Sequence, residues 1–140
     1  MSKKIKTEIL TLCDYALTSA QGKLTIVGIF DRVFVNQLPT KYPRMFVVAV
    51  YKGEPNTSFD ASMSLIAPSG KPLLPERAIH VEMRSNGKAN ILTDIANIAL
   101  EEIGEYSLVA FAAQKEVGRT SFYVSKAINT QEVSDSSKAN

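Results

Sequence analysis

The sequence predicts an all-β fold: an antiparallel β-sandwich of immunoglobulin-like character with seven to eight strands. Three observations carry that prediction. Short runs rich in Val, Ile, Thr, Phe and Tyr recur along the chain, separated at regular spacing by Gly, Pro, Asn and Ser. Ser58 to Ala67 alternates, with Phe59, Ala61, Met63, Leu65 and Ala67 on one side and Ser58, Asp60, Ser62 and Ser64 on the other. That is the period of a strand with one face on a core and one in water. No convincing crossover helices separate the runs, which argues against a parallel α/β sheet.

Size and composition set the outer bounds. The 140 residues suffice for one domain burying roughly two-thirds of its unfolded surface. Apolar residues make up 45% of the chain, enough for a core, and the net charge of +2 is too small to argue for nucleic acid. Lys3, Lys4 and Lys6 form the one local basic cluster, read as part of a flexible N-terminus over residues 1–7. A single domain is expected over 8–128, and the polar stretch 129–140 reads as a disordered tail. No signal peptide or membrane span is visible, because the apolar segment Ile9 to Leu12 stops at Asp14. One cysteine, Cys13, cannot form an internal disulfide. These features set the expectation of a reducing, cytoplasmic setting.

The stretch Lys23 to Val35, KLTIVGIFDRVFV, looks like the centre of the fold. Both of its faces are apolar and β-branched residues dominate, so a central strand covered on both sides is expected. Gly28 in its middle reads as a bulge or a close approach by a neighbour. Asp31-Arg32 interrupts the run, where a bend or a crossing from one sheet to another is expected. Glu8 to Thr18 precedes it as an antiparallel partner, joined through the loop Ser19 to Gly22. Asn36 to Arg44 contains Pro39 and Pro43 and reads as an irregular connection between sheets. Met45 to Lys52 follows as a strand apolar on both faces, and Gly53 to Asn56 as a turn.

After the alternating strand, Pro68-Ser69-Gly70 is a turn, and Lys71 to Glu76 is an extended connector with two prolines. Ala78 to Arg84 alternates, with Ile79, Val81 and Met83 inward. Asn86-Gly87 then signals a hairpin. The apolar parity favours a three-residue loop that pairs Met83 with Ala89 and Val81 with Ile91, and sets Arg84 against Lys88. Leu92 to Gly104 fits either a helix or a strand from Ile95 to Leu100, and the strand is preferred. The spacing Glu102-x-Gly104-x-Tyr106 before the strand Glu105 to Ala113 suggests a tyrosine corner, in which the hydroxyl bonds back to the preceding turn. Gln114 to Gly118 reads as a polar loop and Arg119 to Ala127 as the last strand.

Leu12-Cys13-Asp14-Tyr15-Ala16, the run Gly22 to Asp31 and the later Gly104-Glu105-Tyr106 carry a family resemblance. With the closing hairpin, they resemble a mostly bacterial family of small domains of unknown function. The resemblance covers most of Glu8 to Ala127. It implies a β-sandwich and brings no known activity, so no functional residues carry over.

The residues themselves argue against most chemistries. One His (His80) and one Cys (Cys13) make no spaced metal-binding cluster. His80 is expected in solvent beside Glu82, and Cys13 as a small buried hydrophobe rather than half of a nucleophilic pair with His80. Asp14, Asp31, Asp60 and Asp94 are scattered singly, unlike calcium ligands that converge from adjacent loops. No phosphate-cradling glycine loop and no Gly-x-Ser-x-Gly elbow occurs. Phe34, Tyr42 and Tyr51 are the aromatics available for a carbohydrate platform. The expectation is a non-catalytic protein without cofactor or metal that acts through protein contacts, by self-association or by docking to a partner. Phe34, Leu38 and Tyr42 are the candidate patch. The alternative is a small-molecule or glycan-binding module, which a deep apolar pocket with convergent polar groups would favour.

Overall fold

The computed structural model describes residues 4–75 and 77–127, which hold nine strands and no helix. In chain order they are β1 (Lys6–Thr18), β2 (Leu24–Ile29), β3 (Arg32–Val35), β4 (Thr40–Lys52) and β5 (Ser58–Ile66). These are followed by β6 (Ile79–Glu82), β7 (Lys88–Leu100), β8 (Gly104–Ala112) and β9 (Lys115–Lys126). A four-stranded sheet runs β2-β1-β4-β7 and a five-stranded sheet runs β3-β9-β8-β5-β6. The sandwich is therefore all-β, with more strands than the seven or eight expected. It is also not purely antiparallel, since β3 pairs parallel to β9 from Arg32↔Tyr123 to Val35↔Lys126.

The strand at the centre is β4, not the stretch around Gly28. Met45 to Tyr51 is buried without a break. Antiparallel ladders hold it on both sides, to β1 from Lys6↔Lys52 to Cys13↔Phe46 and to β7 from Thr40↔Leu100 to Lys52↔Lys88. Met45, Val47, Ala49 and Tyr51 enter the core between the sheets. β2, expected to be covered on both sides, is an edge strand with β1 as its one neighbour. Val27 and Ile29 are 50% and 67% exposed. The expected crossing does occur at Asp31-Arg32, because β2 and β3 lie in different sheets. Gly28 has φ +70°, and a Cβ there would overlap the Asp14 carboxylate, so the close approach is real.

Three further boundaries move for identifiable reasons. β4 begins at Thr40 and runs through Pro43, where an irregular connection was expected. The ladder to β1 ends at Phe46, so Pro43 sits where that side of β4 has no partner strand, and the ladder to β7 skips it. A missing N–H costs little there. At the other end of the chain, β8 and β9 are joined through Ala113 and Gln114 at φ 51° and 68°, a two-residue turn in place of the longer loop. β1 also starts earlier than the flexible N-terminus allowed, since Lys6 and Thr7 pair with Lys52 and Tyr51. The expected tail 129–140 lies outside the described residues, as do residues 1–3 of the expected N-terminal segment. The ambiguous segment forms the second half of the long strand β7.

Asn86-Gly87 makes a corner rather than a hairpin. The turn itself closes as the parity argument required: the Arg84 N–H donates to the Lys88 carbonyl at 2.9 Å, and the Gly87 N–H to the Arg84 carbonyl at 2.9 Å. Beyond it the strands part. β6 pairs with β5 from Ser58↔Glu82 to Ala61↔Ile79, while β7 takes the whole length of β4. The cross-strand pairs Met83 with Ala89 and Val81 with Ile91 therefore do not form. Ile79, expected inward, is exposed at the sheet edge. Gly87, at φ +75°, packs against the turn after β4, and the Gly53 N–H donates to its carbonyl at 2.8 Å.

The sheets are tied together at the turn before β8. The Tyr106 hydroxyl donates to the Glu102 carbonyl at 2.8 Å and accepts from the Glu102 N–H at 3.1 Å. Its buried ring stacks on Phe122 of β9, with centroids 5.2 Å apart. Gly104 starts β8 against Pro68.

Two stability predictions follow from these contacts. A Cβ on Gly87 would lie 2.5 Å from the Gly53 carbonyl oxygen, in a backbone region that strains any side chain. Gly70 has φ +94° but meets nothing within 4 Å. Gly87→Ala is expected to cost about 2–3 kcal/mol and Gly70→Ala about 1 kcal/mol. Equal shifts in urea unfolding would refute the packing of the corner. Tyr106→Phe keeps the stack but strands the Glu102 backbone, with an expected cost of about 1–2 kcal/mol. An unchanged urea midpoint would count against that bond.

Candidate interaction surface

The outward face of the four-stranded sheet is apolar where most sheet faces in water are not. In an antiparallel ladder, residues directly opposite share a face. Ile9↔Val50, Thr11↔Val48 and Cys13↔Phe46 join β1 to β4, and Val48↔Leu92 and Phe46↔Asp94 join β4 to β7. All of these lie opposite to Met45, Val47, Ala49 and Tyr51. Cys13, Ala16, Phe46, Val48 and Val50 form a buried cluster here, separate from the core between the sheets, with Leu24, Ile26 and Leu92 packed against it. No second layer covers it among the described residues; side chains on the same sheet do so.

The margin of this cluster is well defined. Tyr15 meets the Phe46 ring edge-on, with centroids 5.2 Å apart. On the other side the Arg44 guanidinium lies 4.9 Å over the same ring while making two hydrogen bonds to Asp94, at 2.9 and 2.5 Å. That bidentate pair raises the Arg44 pKa and lowers that of Asp94, in each case chiefly through the hydrogen bonds. Toward the free edge the margin turns apolar. Among the described residues nine large hydrophobic side chains are exposed, and five of them belong to β1 and β2: Ile9, Tyr15, Leu17, Val27 and Ile29. The surface thus runs from a charged border at Arg44–Asp94 to β2, which carries no charged side chain of its own and has the Asp14 carboxylate of β1 against its Gly28.

The expected patch divides. Phe34 on β3 is 61% exposed. Leu38 and Tyr42 turn inward and pack against the main core, where Tyr42 also meets Phe30 with centroids 6.1 Å apart. Phe34 and Tyr42 share the lining of one open depression, with Gln37 and Lys41 between them. Of the other aromatics considered for a carbohydrate platform, Tyr51 is fully buried. Asn86 accepts from the Lys88 N–H at 3.1 Å and belongs to the corner. The residues missed were Tyr15, Leu17, Val27 and Ile29. For Val27 and Ile29 the signal is the pair of apolar faces on their strand, which fits exposure at a surface as well as burial; Tyr15 and Leu17 stand beside them on β1.

Cys13 and His80 do not meet. Cys13 lies in β1 with no exposed surface, and burial pushes its thiol pKa up. His80 lies in β6 of the other sheet, exposed, with Nδ1 3.3 Å from Asp60 Oδ1. Among the described residues no group of three or more His, Cys, Asp or Glu is arranged to hold a metal ion. No helix of the described residues is long and apolar enough to cross a membrane.

The sequence model of a family of unknown function (DUF6941) matches residues 8–125. The chain belongs to that family. No curated protein matches it. Among solved structures it is similar to the Pseudomonas fluorescens alkylpurine DNA glycosylase AlkC bound to DNA containing an abasic site analog. The TM-score is 0.54 at 7% identity, over 88% of this chain and 30% of that one. It is also similar to a Listeria innocua β-glucosidase in complex with glucose, with TM-score 0.53 at 9% identity over 91% of this chain and 17% of that one. A β-glucosidase from Erythrobacter marinus gives 0.53 at 9% identity, over 88% and 16%. The chain spans less than a third of each of these proteins. At such identities the likeness shows the fold alone.

The burial of Cys13 is directly testable. Its thiol is expected to react with a disulfide reagent at pH 8 at least about a hundredfold more slowly in the native protein than in denaturant. Fast stoichiometric labelling of the folded protein would place Cys13 at the surface.

Proposed function

We propose that this domain is a non-catalytic, immunoglobulin-like sandwich of the cytoplasm that works by protein contact. We further propose that the contact is a second copy of itself, joined edge to edge through β2. One observation carries the reading. β2 has a neighbour on one side only and carries no charge and no proline from Leu24 to Ile29, while Val27 and Ile29 stand exposed on it. Sheet edges in monomers are blunted by lysines, prolines or very short strands, because an open edge is a template for another strand. β3 and β6, the edges of the other sheet, are only four residues long. β2 has six residues, and of these devices it has none.

A second copy fits this edge for reasons of symmetry. Two β2 strands related by a two-fold axis pair antiparallel, each surface meeting its own equivalent. The pairing would extend the sheet to eight strands and bring the two sets of Val27, Ile29, Tyr15 and Leu17 beside each other, so that apolar burial adds to the backbone bonds. A single buried cysteine and the small net charge support the cytoplasmic setting and give no footprint for nucleic acid.

Light scattering across a micromolar concentration series tests this. Twice the monomer mass is expected for the native chain. Val27→Lys combined with Ile29→Lys is expected to return the monomer mass with the melting curve kept, whereas Ile103→Lys, an exposed site away from β2, should leave the dimer intact. A monomer at every concentration, or a dimer indifferent to the paired lysines, would overturn the reading.

A further inference from the structure

We propose that the opening between the two sheets beside β7 is a binding site for a small, mostly apolar molecule carrying one hydrogen-bonding oxygen. The opening exists because β6 is short. It pairs with β5 only from Ser58 to Ala61, and farther along β5 that edge is next met where Pro72 bridges Ile66 and the Leu73 N–H donates to the Leu65 carbonyl at 2.7 Å. Ser62 to Ser64 lies between these two segments. Across the gap stands β7, whose one neighbour is β4. The result is a cavity of about 300 Å³ walled mainly by Tyr51, Met63, Leu74, Ile91 and Ile95, with Thr93 among them and Ser62 and Arg77 also in the lining.

Thr93 gives the cavity its chemistry. Its hydroxyl is buried and has no hydrogen-bond partner among the described residues. Buried hydroxyls in folded proteins nearly always have one, because leaving one unpaired sacrifices its bond to water. A strand residue facing a purely apolar wall would be better served by Val, which has the same shape. The charged residue beside it, Asp94, is already held by Arg44 at 2.5 Å. Thr93 thus brings one unpaired buried hydroxyl to a lining that is mostly apolar, and the volume suits one ring or a short chain. That combination selects for a compact alcohol, phenol or ketone-like group on a hydrocarbon body.

The site does not rest on the dimer. β2 and β7 are opposite edges of the four-stranded sheet, so pairing through β2 leaves the opening free.

The test is methyl-detected NMR on the full chain, titrated with phenol and, separately, with toluene. Saturable shifts confined to the methyls of Met63, Leu74, Ile91 and Ile95 are expected with phenol. Thr93→Val is expected to weaken phenol about three- to tenfold while leaving toluene unchanged, and Thr93→Ser to keep phenol binding. Val27→Lys with Ile29→Lys should bind phenol as the native chain does. Shifts that never saturate or scatter over the surface would mean that the hydroxyl is served by water alone, and would overturn the proposal. A Thr93→Val variant that weakens both ligands equally would overturn the role given to the hydroxyl. The native titration decides the site whether or not that variant folds.

Discussion

The structure depends on the burial of β4 on both faces. Met45, Val47, Ala49 and Tyr51 fill the space between the sheets, while Phe46, Val48 and Val50 anchor a second apolar cluster outside it. A strand with both faces buried cannot slip by one residue without exchanging these two sets, so its register is fixed more firmly than that of a one-faced strand. β7 inherits its register from it along its whole length, and β1 from Phe46 to Lys52. Their long, matched ladders explain why β7 abandons β6 at the Asn86-Gly87 corner. Pairing with β4 gives one side of the backbone a ladder from Lys88 to Leu100, far longer than a local hairpin with the four residues of β6 could.

The second sheet is attached to this frame at a few well-packed points. Tyr106 is held twice by the backbone of Glu102 and stacks on Phe122, which also meets Phe30 edge-on at the end of β2. The Thr7 hydroxyl donates to the Val117 carbonyl at 2.7 Å, linking the start of β1 to β9. The chain changes sheet five times, at Asp31-Arg32, before Thr40, at Gly53 to Thr57, at Asn86-Gly87 and at Glu101 to Ile103. Each change falls at residues that break the apolar pattern, either a charged pair, a proline segment or a turn dipeptide.

The legibility of these features in the sequence follows from how many physical causes each pattern has. Ser58 to Ile66 was readable because alternation has one cause, a strand between core and water. Tyr106 was readable because its corner is local: the bond spans four residues. The stretch around Gly28 misled because apolar residues on both faces have two causes, burial by a second layer or exposure at a surface that another molecule covers. Periodicity reports what a face is made of and not what lies over it. Pro43 misled because whether its missing N–H matters depends on a distant fact, the end of the β1 ladder at Phe46. For the same reason Phe34, Leu38 and Tyr42, close together in sequence, part company: β3 belongs to one sheet and β4 to the other, so the connection between them turns Leu38 and Tyr42 inward while Phe34 stays outside.

The two edges of the four-stranded sheet are therefore not equivalent, and the difference bears on function. Along β7 the outward face carries Asp94 locked to Arg44, and the inward face carries an unpaired hydroxyl at a gap left by a short neighbour. A charged pair desolvates at a cost, so this edge resists being covered by another sheet while leaving room for something small between the layers. β2 itself carries no charged side chain, with the Asp14 carboxylate of β1 lying against its Gly28, and its exposed residues are valine and isoleucine, whose β-branched side chains suit a paired strand. A monomer would gain solubility from a single lysine at Val27 at little structural cost, since that side chain is already half in water. A valine at that position is hard to account for in a free edge and easy to account for in a paired one.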